Sequence, residues 1–457
     1  MKTLIEPFKI KTVEEIPITT IGQREKLLKE AFYNPFYLKS QFITIDMLTD
    51  SGTTAMSSKQ WAGLIDGDES YAGSKSYYKF EKAVKDITGF KYIIPAHQGR
   101  AAERILFTLL GGKGKIIPNN THFDTTRGNI EYTKAEAVDF VTEIGKQADK
   151  VADFKGNMDV DALEKFIKKV GAKNIPVCMM TVTNNTGGGQ PVSMQNIRET
   201  KAVLKKYGIP LFLDCCRFAE NAYFIKLREK GYANKTVKQI AQEMFSYADG
   251  CTMSAKKDGL SNTGGFIGTN DRKLAEKAKE LLIITEGFIT YGGLARRDLE
   301  ALAIGFQEVL NEDYLQYRVG QVKMFGDLLM KYGVPILVPT GGHAVYLDAK
   351  RFARHILPEQ YPGHSIALEV YRVGGIRSCE IGSVMFGRKD ENGKHIAPNM
   401  ELVRFAVPRR VYTKSHIEYT AEAIAEVYDN RKKLKGVKIV WEPPFLRHFT
   451  AKFEYIK

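Results

Sequence analysis

The sequence lacks long apolar segments, a signal peptide and an even set of cysteines. Its longest apolar runs, such as Pro176–Val182, are far too short to span a membrane. The start, Met1–Lys11, mixes charged and apolar residues and has no apolar signal-peptide core. The cysteines have no metal-type spacing and fit unpaired thiols in a reducing cytoplasm: Cys178, Cys215, Cys216, Cys251 and Cys379. We therefore predict a cytoplasmic protein with no membrane partner.

The chain is basic, with 67 Lys and Arg against 53 Asp and Glu and a net charge of +14. Such a balance can indicate a nucleic-acid-binding protein. The basic residues are mixed with acidic ones, however, as in Lys79–Lys85 and Asp271–Glu280, and no arginine-rich arm is present. This distribution favours a solvated surface and no nucleic-acid partner. A basic nucleic-acid-binding protein stays the non-enzyme alternative.

The middle of the chain alternates short apolar runs with amphipathic segments. The predicted helices are Ala101–Leu110, Val160–Val170, Ile197–Tyr207 and Val237–Tyr247. The predicted strands are Tyr92–Ile94, Lys115–Ile117, Ala137–Val141, Val177–Val182, Leu211–Leu213, Gly250–Met253 and Gly265–Gly268. Apolar strands alternating with helices indicate an α/β fold whose mostly parallel sheet is covered on both faces.

A chain of 457 residues exceeds the usual size of one hydrophobic core, so two domains are expected. The pattern changes near Leu302, where a helical stretch, Arg297–Tyr332, leads into hairpin-like and loop-like segments. We predict a large domain over residues 50–310 and a smaller α+β domain over residues 311–457. Residues 1–49 are assigned to an N-terminal arm that either joins the smaller domain or embraces a partner subunit.

Asp214 directly follows an apolar strand at the edge where ligands collect in a parallel sheet. A carboxylate there is costly unless a cation pairs with it, for example the ring nitrogen of a cofactor. Arg217 could then face a ring substituent. The alternative is that Asp214 caps the next helix or pairs with Arg217.

Lys257 ends the next strand unit and follows Ser254 by three residues. A lysine amine can form an imine with an aldehyde and later act as a base, while the serine hydroxyl can hold a phosphate. Ser-x-x-Lys also occurs in penicillin-recognising serine enzymes, but their Ser-Asp-Asn and Lys-Thr-Gly segments are absent. A chance tetrapeptide in a lysine-rich chain stays the alternative.

The segment Pro95–Glu103 is a third strand end, and it turns into a helix. Gly99 permits close backbone approach, and the N–H groups of a first helical turn bind phosphate well. Neither a Walker-type loop nor a dinucleotide fingerprint is present. An ordinary loop is the alternative for this segment alone, but the three strand ends together favour pyridoxal phosphate as the cofactor.

Several long segments occur in a specific order: Leu48–Thr53, Gly67–Ser74, His97–Arg100, Gly188–Ser193, Glu220–Lys226 and Pro408–Thr413. With the ends Glu6–Ile10 and His448–Lys452, they closely resemble the β-eliminating lyases, which comprise tryptophan indole-lyases and tyrosine phenol-lyases. The resemblance implies a large domain of the aspartate aminotransferase type (fold type I). It also implies a C-terminal end that returns to the active site, and a homotetramer with sites shared between subunits.

The resemblance also assigns roles to individual residues. Lys257 is implied as the imine lysine and Asp214 as the pyridinium partner. The remaining implied cofactor contacts are Gln98, Gly99, Arg100 and Ser254 for the phosphate, Asn185 and Arg217 for the phenolic oxygen, and Phe123 for stacking on the ring. Arg404, with Thr49 and Ser51, is implied to bind the substrate carboxylate, which suits the planar fork of arginine.

Two further sites rest almost wholly on the resemblance. Tyr71 matches the family's general acid near the leaving group. Gly52, Glu69 and Asn262 match a monovalent-cation site that is normally filled by potassium. From the sequence alone, Tyr71 would be an unremarkable loop aromatic and Glu69 part of a solvated acidic loop.

Three positions distinguish the two branches of the family. Where phenol-lyases have Thr, Arg and Phe, this chain has Asp124, Ile381 and His448. Asp124 can accept a hydrogen bond from an indole N–H, Ile381 offers an apolar wall, and His448 can exchange a proton near the ring. A surface location is the alternative for His448. The three residues predict conversion of L-tryptophan to indole, pyruvate and ammonia.

One segment favours the other branch. The short loop Gly111–Lys115 is more similar to the phenol-lyases, although loops change length readily. Tyrosine phenol-lyase activity is therefore the first alternative. An aminotransferase of the same fold is a second alternative; it would share the roles of Asp214 and Lys257 but would not need Tyr71, Asp124 and His448 together.

Overall fold

The computed structural model describes residues 4–456, which divide into two compact units. The large unit contains Ser51–Gly145 and Ala152–Gln316. The small unit contains the chain up to Asp50, the segment Lys146–Val151, and the chain from Tyr317 onward. No helix within residues 4–456 is both long enough and apolar enough to cross a membrane.

The helices of the described residues are, in chain order, α1 Ile21–Glu30, α2 Ser58–Asp66, α3 Lys75–Thr88, α4 Gly99–Leu110, α5 Asp124–Tyr132, α6 Val160–Val170, α7 Met194–Lys206, α8 Phe218–Arg228, α9 Val237–Ser246, α10 Arg272–Thr285, α11 Arg296–Glu308, α12 Glu312–Lys331, α13 Ala349–Phe352, α14 Pro362–Gly374, α15 Ser383–Phe386 and α16 Lys414–Asp429. The predicted helical stretch Arg297–Tyr332 is present as two helices, α11 and α12. It is broken at residues 309–311, where the Asn311 side chain accepts a hydrogen bond from the N–H of Tyr314 (2.9 Å) and so caps α12.

The strands are β1 Ile45–Asp46, β2 Tyr92–Ala96, β3 Ile116–Asn119, β4 Glu136–Asp139, β5 Cys178–Thr181, β6 Leu211–Asp214, β7 Gly250–Ser254, β8 Gly265–Thr269, β9 Ala344–Asp348, β10 Ile376–Arg377, β11 Cys379–Ile381, β12 Arg388–Lys389, β13 His395–Ile396, β14 Leu402–Ala406, β15 Val437–Trp441 and β16 Lys452–Tyr455. Each of the seven strands predicted for the large domain is present, and no end differs from the prediction by more than two residues.

The large unit is centred on a five-stranded sheet in the order β2-β8-β7-β6-β5. The strands β5, β6 and β7 are parallel, whereas β8 is antiparallel to both of its neighbours. The reversed β8 follows from its connection, residues 255–264, which is too short for the crossover that parallel neighbours need. The predicted mostly parallel sheet is therefore mixed on the side of β8. Buried side chains of α4, including Ile105 and Leu106, pack in the same apolar cluster as Phe212 and Ile267 of this sheet.

The small unit has a three-stranded antiparallel sheet in the order β11-β14-β9. An apolar cluster that includes Val345, Val403 and Phe405 packs this sheet against helices. The same unit buries the carboxylate of Asp50, which pairs with Arg409 (2.8 Å) and Arg318 (3.6 Å). Charges buried this deeply are tolerated because they are paired.

Candidate active site

The candidate site of the large unit is built at the carboxyl ends of β5, β6 and β7. Thr181 pairs with Asp214, and Asp214 pairs with Thr252, so these parallel strands end at one edge of the sheet. Ser254 ends β7 at that edge and precedes the turn that contains Lys257. Two of the three strand ends that the sequence singles out, those of Asp214 and Ser254, are therefore neighbours.

The amino end of α4 lies against Ser254. A Cβ added to Gly99 would lie 2.5 Å from the Cβ of Ser254, so this approach requires glycine. Gln98, the N-cap residue of α4, makes no side-chain cap bond. The hydroxyl of Ser254 is buried and has no hydrogen-bond partner among residues 4–456. A helix start and an unsatisfied buried hydroxyl at one place suit the phosphate of a cofactor.

Positive charge is concentrated at the same place. Lys256 donates a hydrogen bond from Nζ to Oε1 of Gln98 (3.0 Å). Burial, followed by the charges of Lys257 and Arg100, lowers the pKa of Lys256 to about 8. A buried lysine whose pKa is lowered by neighbouring cations is stabilised in its charged form by an anion. The phosphate of the predicted cofactor is such an anion.

Lys257 lies in a turn that is fixed by Asp258. The buried Asp258 carboxylate accepts a hydrogen bond from the N–H of Ala219 (2.8 Å) in the first turn of α8, and its own N–H donates to the carbonyl of Cys216 (3.2 Å). Arg217, the N-cap residue of α8, gives no side-chain cap, so Asp258 supplies the acceptor. The turn of Lys257 is thereby joined to the segment of Asp214 and Arg217.

Asp214 is buried and is held by Cys216, a residue that no sequence signal connected with the site. The thiol of Cys216 donates a hydrogen bond to Oδ1 of Asp214 (2.9 Å), and its sulfur accepts one from the N–H of Ser254 (3.2 Å). Burial, followed by the charge of Asp214, raises the pKa of Cys216, so the thiol keeps its proton. The bridge links the predicted pyridinium partner with the predicted phosphate ligand.

The other predicted ring contacts lie in the same unit. Asn185 is buried in the loop after β5, and Arg217 is buried at the start of α8. Phe123 is half-buried as the N-cap residue of α5. Each follows the carboxyl end of a parallel strand, which is where ligands bind in an open α/β sheet.

Asp124 is buried in the first turn of α5, where its Oδ1 accepts a hydrogen bond from the N–H of Thr125 (2.6 Å). This turn is tied to α4 by Glu103, whose Oε1 accepts a hydrogen bond from the hydroxyl of Thr126 (2.5 Å). Burial, followed by the charge of Asp214, raises the pKa of Glu103. Glu103 is a further residue that the sequence alone did not single out, because its partner is on another helix.

Tyr71 is 66% exposed in the single chain and belongs to an aromatic cluster. Its ring stacks on Phe288 (5.6 Å between ring centres) and meets Tyr291 edge-on (5.5 Å). A hydrogen bond with Tyr291, followed by the charge of that group, raises the pKa of Tyr71. The phenol is therefore protonated at neutral pH, as a proton donor must be.

Two of the three predicted cation ligands are neighbours. The side-chain amide of Asn262 donates to the carbonyls of Gly52 (3.0 Å) and Thr54 (3.1 Å). Glu69 instead pairs with Arg297 (3.2 Å) and Arg296 (3.8 Å) in the single chain. Within the described chain, no three or more His, Cys, Asp or Glu side chains are grouped to hold a metal ion.

The predicted carboxylate ligand of the small unit is a buried arginine. Arg404 lies at the centre of β14, opposite Cys379 on one side and Tyr346 on the other. Its Nη2 donates to the carbonyl of Leu48 (2.8 Å), which is next to Thr49. Arg404 is therefore not a surface residue. Ser51, the other predicted contact, belongs to the large unit.

The other two residues that distinguish the substrate also lie in the small unit. Ile381 ends β11, is 2% exposed and packs among apolar residues that include Leu402. His448 is 4% exposed, and its ring contacts Phe449 (4.0 Å) and Phe36 (5.9 Å). The alternative of a surface histidine is wrong for His448.

Comparison with solved structures defines the class. The chain is similar to a serine palmitoyltransferase of Sphingomonas wittichii, with a TM-score of 0.55, 16% identity, and coverage of 91% of this chain and 97% of that one. It is also similar to a high-resolution SPT structure with PLP, with a TM-score of 0.57, 15% identity, and coverage of 90% and 97%. The fold is that of the pyridoxal-phosphate enzymes of fold type I, as predicted.

Comparison of sequences defines the family. The model of the β-eliminating lyases matches residues 46–423. Relatives include a tryptophanase of Salinibacter ruber (56% identical; 99% of this chain and 95% of the relative) and one of Hyphomonas neptunium (54%; 99% and 100%). A tyrosine phenol-lyase of Pasteurella multocida is 49% identical (98% of each chain). The chain belongs to the β-eliminating lyase family and is a lyase.

Proposed function

We propose that this enzyme eliminates the side chain of L-tryptophan with pyridoxal phosphate, consuming one water and releasing indole, pyruvate and ammonia. The observation that supports this substrate best is the buried, apolar Ile381, together with a buried His448 and a buried Asp124. An arginine would suit a phenolate at the position of Ile381, whereas an isoleucine suits an uncharged indole. Relatives named tryptophanase at 52–56% identity support the same choice.

When bound, pyridoxal phosphate supplies an aldehyde that bonds amines and a ring that withdraws electrons from the substrate's α-carbon. Gln98, Gly99, Arg100 and Ser254 would hold its phosphate. Asp214 would pair with the ring nitrogen and keep it protonated. Phe123, Asn185 and Arg217 would fix the plane and the phenolic oxygen of the ring.

The remaining residues act at one of the two ends of the substrate, either at its carboxylate and α-carbon or at its ring. Arg404, with Thr49 and Ser51, binds the carboxylate. Lys257 takes the proton from the α-carbon, because a freed lysine amine is a strong base.

At the ring end, Tyr71 gives a proton to the indole carbon that leaves. Asp124 accepts the indole N–H and stabilises positive charge on the protonated ring. Ile381 and His448 bound the ring, and the imidazole of His448 can donate or accept a proton there.

A steady-state assay with L-tryptophan and L-tyrosine tests the substrate. We expect kcat/KM to be at least about tenfold higher for L-tryptophan, because an unpaired phenol oxygen against Ile381 costs more than 1.4 kcal/mol. Release of pyruvate measures both reactions. A higher value for L-tyrosine would favour the tyrosine phenol-lyase alternative, which the loop Gly111–Lys115 supports, and would leave the cofactor assignment intact.

We further propose a monovalent cation, normally potassium, at Gly52, Asn262 and Glu69. The adjacent carbonyl of Gly52 and amide of Asn262 support this proposal, since hard cations prefer oxygen ligands. We expect activity in potassium buffer to exceed that in tetramethylammonium buffer severalfold, and Asn262→Ala to reduce the difference. Equal activity in both buffers would contradict the proposal.

We also propose a cytoplasmic homotetramer without a nucleic-acid partner. The exposed aromatic Tyr71 supports an assembly, because a general acid needs an environment that excludes water. The five cysteines form no disulfide, which fits a reducing compartment. The mass of the particle in solution, measured by light scattering, checks the tetramer.

A further inference from the structure

The short helix α15 of the small unit is held from both ends by charged side chains. Ile381 precedes it by two residues, and the segment of His448 packs on it through Arg447. The charged groups that contact α15 have no role in the proposed chemistry, although two of the three substrate-distinguishing residues flank them.

At the amino end, two buried carboxyl groups accept the free N–H groups of α15. Glu401 accepts the N–H of Ser383 (3.0 Å) and also its hydroxyl. Glu380 accepts the N–H of Val384 on Oε1 (2.9 Å) and the N–H of Met385 on Oε2 (3.2 Å). Four donors therefore converge on two acids, and the helix start is fully satisfied.

The two acids lie close together. A Cβ on Gly382 would meet Oε2 of Glu401 at 2.4 Å and Oε1 of Glu380 at 2.7 Å, so only glycine fits between them. Burial, followed by the charge of Glu401, raises the pKa of Glu380, and burial raises that of Glu401. Both oxygens of Glu380 face fixed N–H donors, whereas Glu401 faces the rotatable hydroxyl of Ser383. Glu401 is therefore the acid that can carry a proton while each N–H donor keeps its acceptor.

On the other side of α15, Arg447 binds three backbone carbonyl groups. Its guanidinium donates to the carbonyls of Val384 (2.7 Å), Ser383 (2.7 Å) and Gly387 (2.9 Å). Arg447 is also the residue before His448. The backbone that positions His448 is thus attached to the backbone that follows Ile381 by three charge-assisted hydrogen bonds.

We propose that Arg447, Glu380 and Glu401 form a clamp that sets the positions of Ile381 and His448, and that elimination of an aromatic side chain depends on this clamp. These are positioning residues, since none of them need touch the substrate. The proposal rests on the proposed function, because it assigns Ile381 and His448 to the ring of the substrate.

The test compares an aromatic substrate with β-chloroalanine, which gives pyruvate, ammonia and chloride. Chloride leaves without a ring proton, so its elimination does not need Ile381 or His448. The aromatic substrate is whichever of L-tryptophan and L-tyrosine the wild type eliminates faster. We expect Arg447→Met to lower kcat/KM for the aromatic substrate roughly 10- to 100-fold, the effect of a misplacement near 1 Å, and for β-chloroalanine less than about twofold.

The second pair of variants tests the two acids. For each variant, the measured quantity is the ratio of kcat/KM for the aromatic substrate to kcat/KM for β-chloroalanine. In Glu401→Gln this ratio should stay within about threefold of the wild type, because the glutamine amide can donate to the hydroxyl of Ser383. In Glu380→Gln it should fall by at least about tenfold, because the amide would face a fixed N–H. Arg431→Met is a matched control, since Arg431 also donates to a carbonyl of the small unit, that of Tyr428 (2.7 Å).

Turnover of β-chloroalanine shows that each variant is folded and contains its cofactor. Equal losses on both substrates in Arg447→Met, or no loss on either, would overturn the clamp. A wild type inactive on both aromatic amino acids but active on β-chloroalanine would contradict the proposed function and, with it, the assignment of the clamp to ring recognition.

Discussion

Replacing Lys257 by alanine is expected to lower kcat for L-tryptophan by at least about 10³-fold, because the chain then lacks both the amine that bonds the cofactor and the base at the α-carbon. Pyruvate release measures the loss. Added methylamine should restore a part of the activity, since a small amine can occupy the space that the side chain leaves. Activity within about tenfold of the wild type would contradict the role of Lys257.

Lys256 provides the control for this assignment. Borohydride reduction of the wild type should fix the cofactor on the peptide at Lys257. In Lys256→Ala the label should stay on Lys257, while the dissociation constant of the cofactor rises, because a cation beside Gln98 and Arg100 at the phosphate end is lost. Label on Lys256 in the wild type would show that Lys256, and not Lys257, forms the imine with the cofactor.

Replacing Arg404 by methionine is expected to lower kcat/KM by roughly 10²- to 10³-fold, mainly through KM. The substrate carboxylate then loses a buried, charge-assisted partner, which is worth about 2–5 kcal/mol. Steady-state assays should show the same loss for L-tryptophan and β-chloroalanine, since both have a carboxylate. A loss on L-tryptophan alone would place Arg404 at the ring end of the substrate.

Stability must be measured beside this variant, because Arg404 also donates to the carbonyl of Leu48. Arg404→Lys keeps the charge but not the planar fork, so we expect it to recover only a minor part of the activity. Thermal unfolding of both variants separates loss of binding from loss of the fold.

The sheet of the large unit could be predicted because its strands are buried on both faces and are therefore uninterrupted apolar runs, such as Leu211–Leu213 and Gly250–Met253. The direction of β8 could not be predicted from its residues. β8 is reversed because of the length of a connection, not because of its composition. The helix α1 has no strong apolar period, but Thr20 and Gln23 form a capping box that indicates its start.

The residues of the candidate site could likewise be predicted only in part. Asp214, Ser254 and Lys257 could be found because they follow strands, so their positions depend on the local pattern. Glu103 and Asp258 could not, since their partners, Thr126 and Ala219, are distant in the sequence. Glu401 and Arg447 could not be found for the same reason, and Cys216 because a thiol is rarely read as a hydrogen-bond donor.

The division of the chain into two units bears on how the family has diverged. The predicted cofactor contacts and Asp124 lie in the large unit, whereas Ile381, His448 and the clamp lie in the small unit. Substitutions there can alter the leaving group while the elimination chemistry is inherited unchanged. Relatives with two different aromatic specificities at 47–56% identity to this chain are what such separate inheritance would produce.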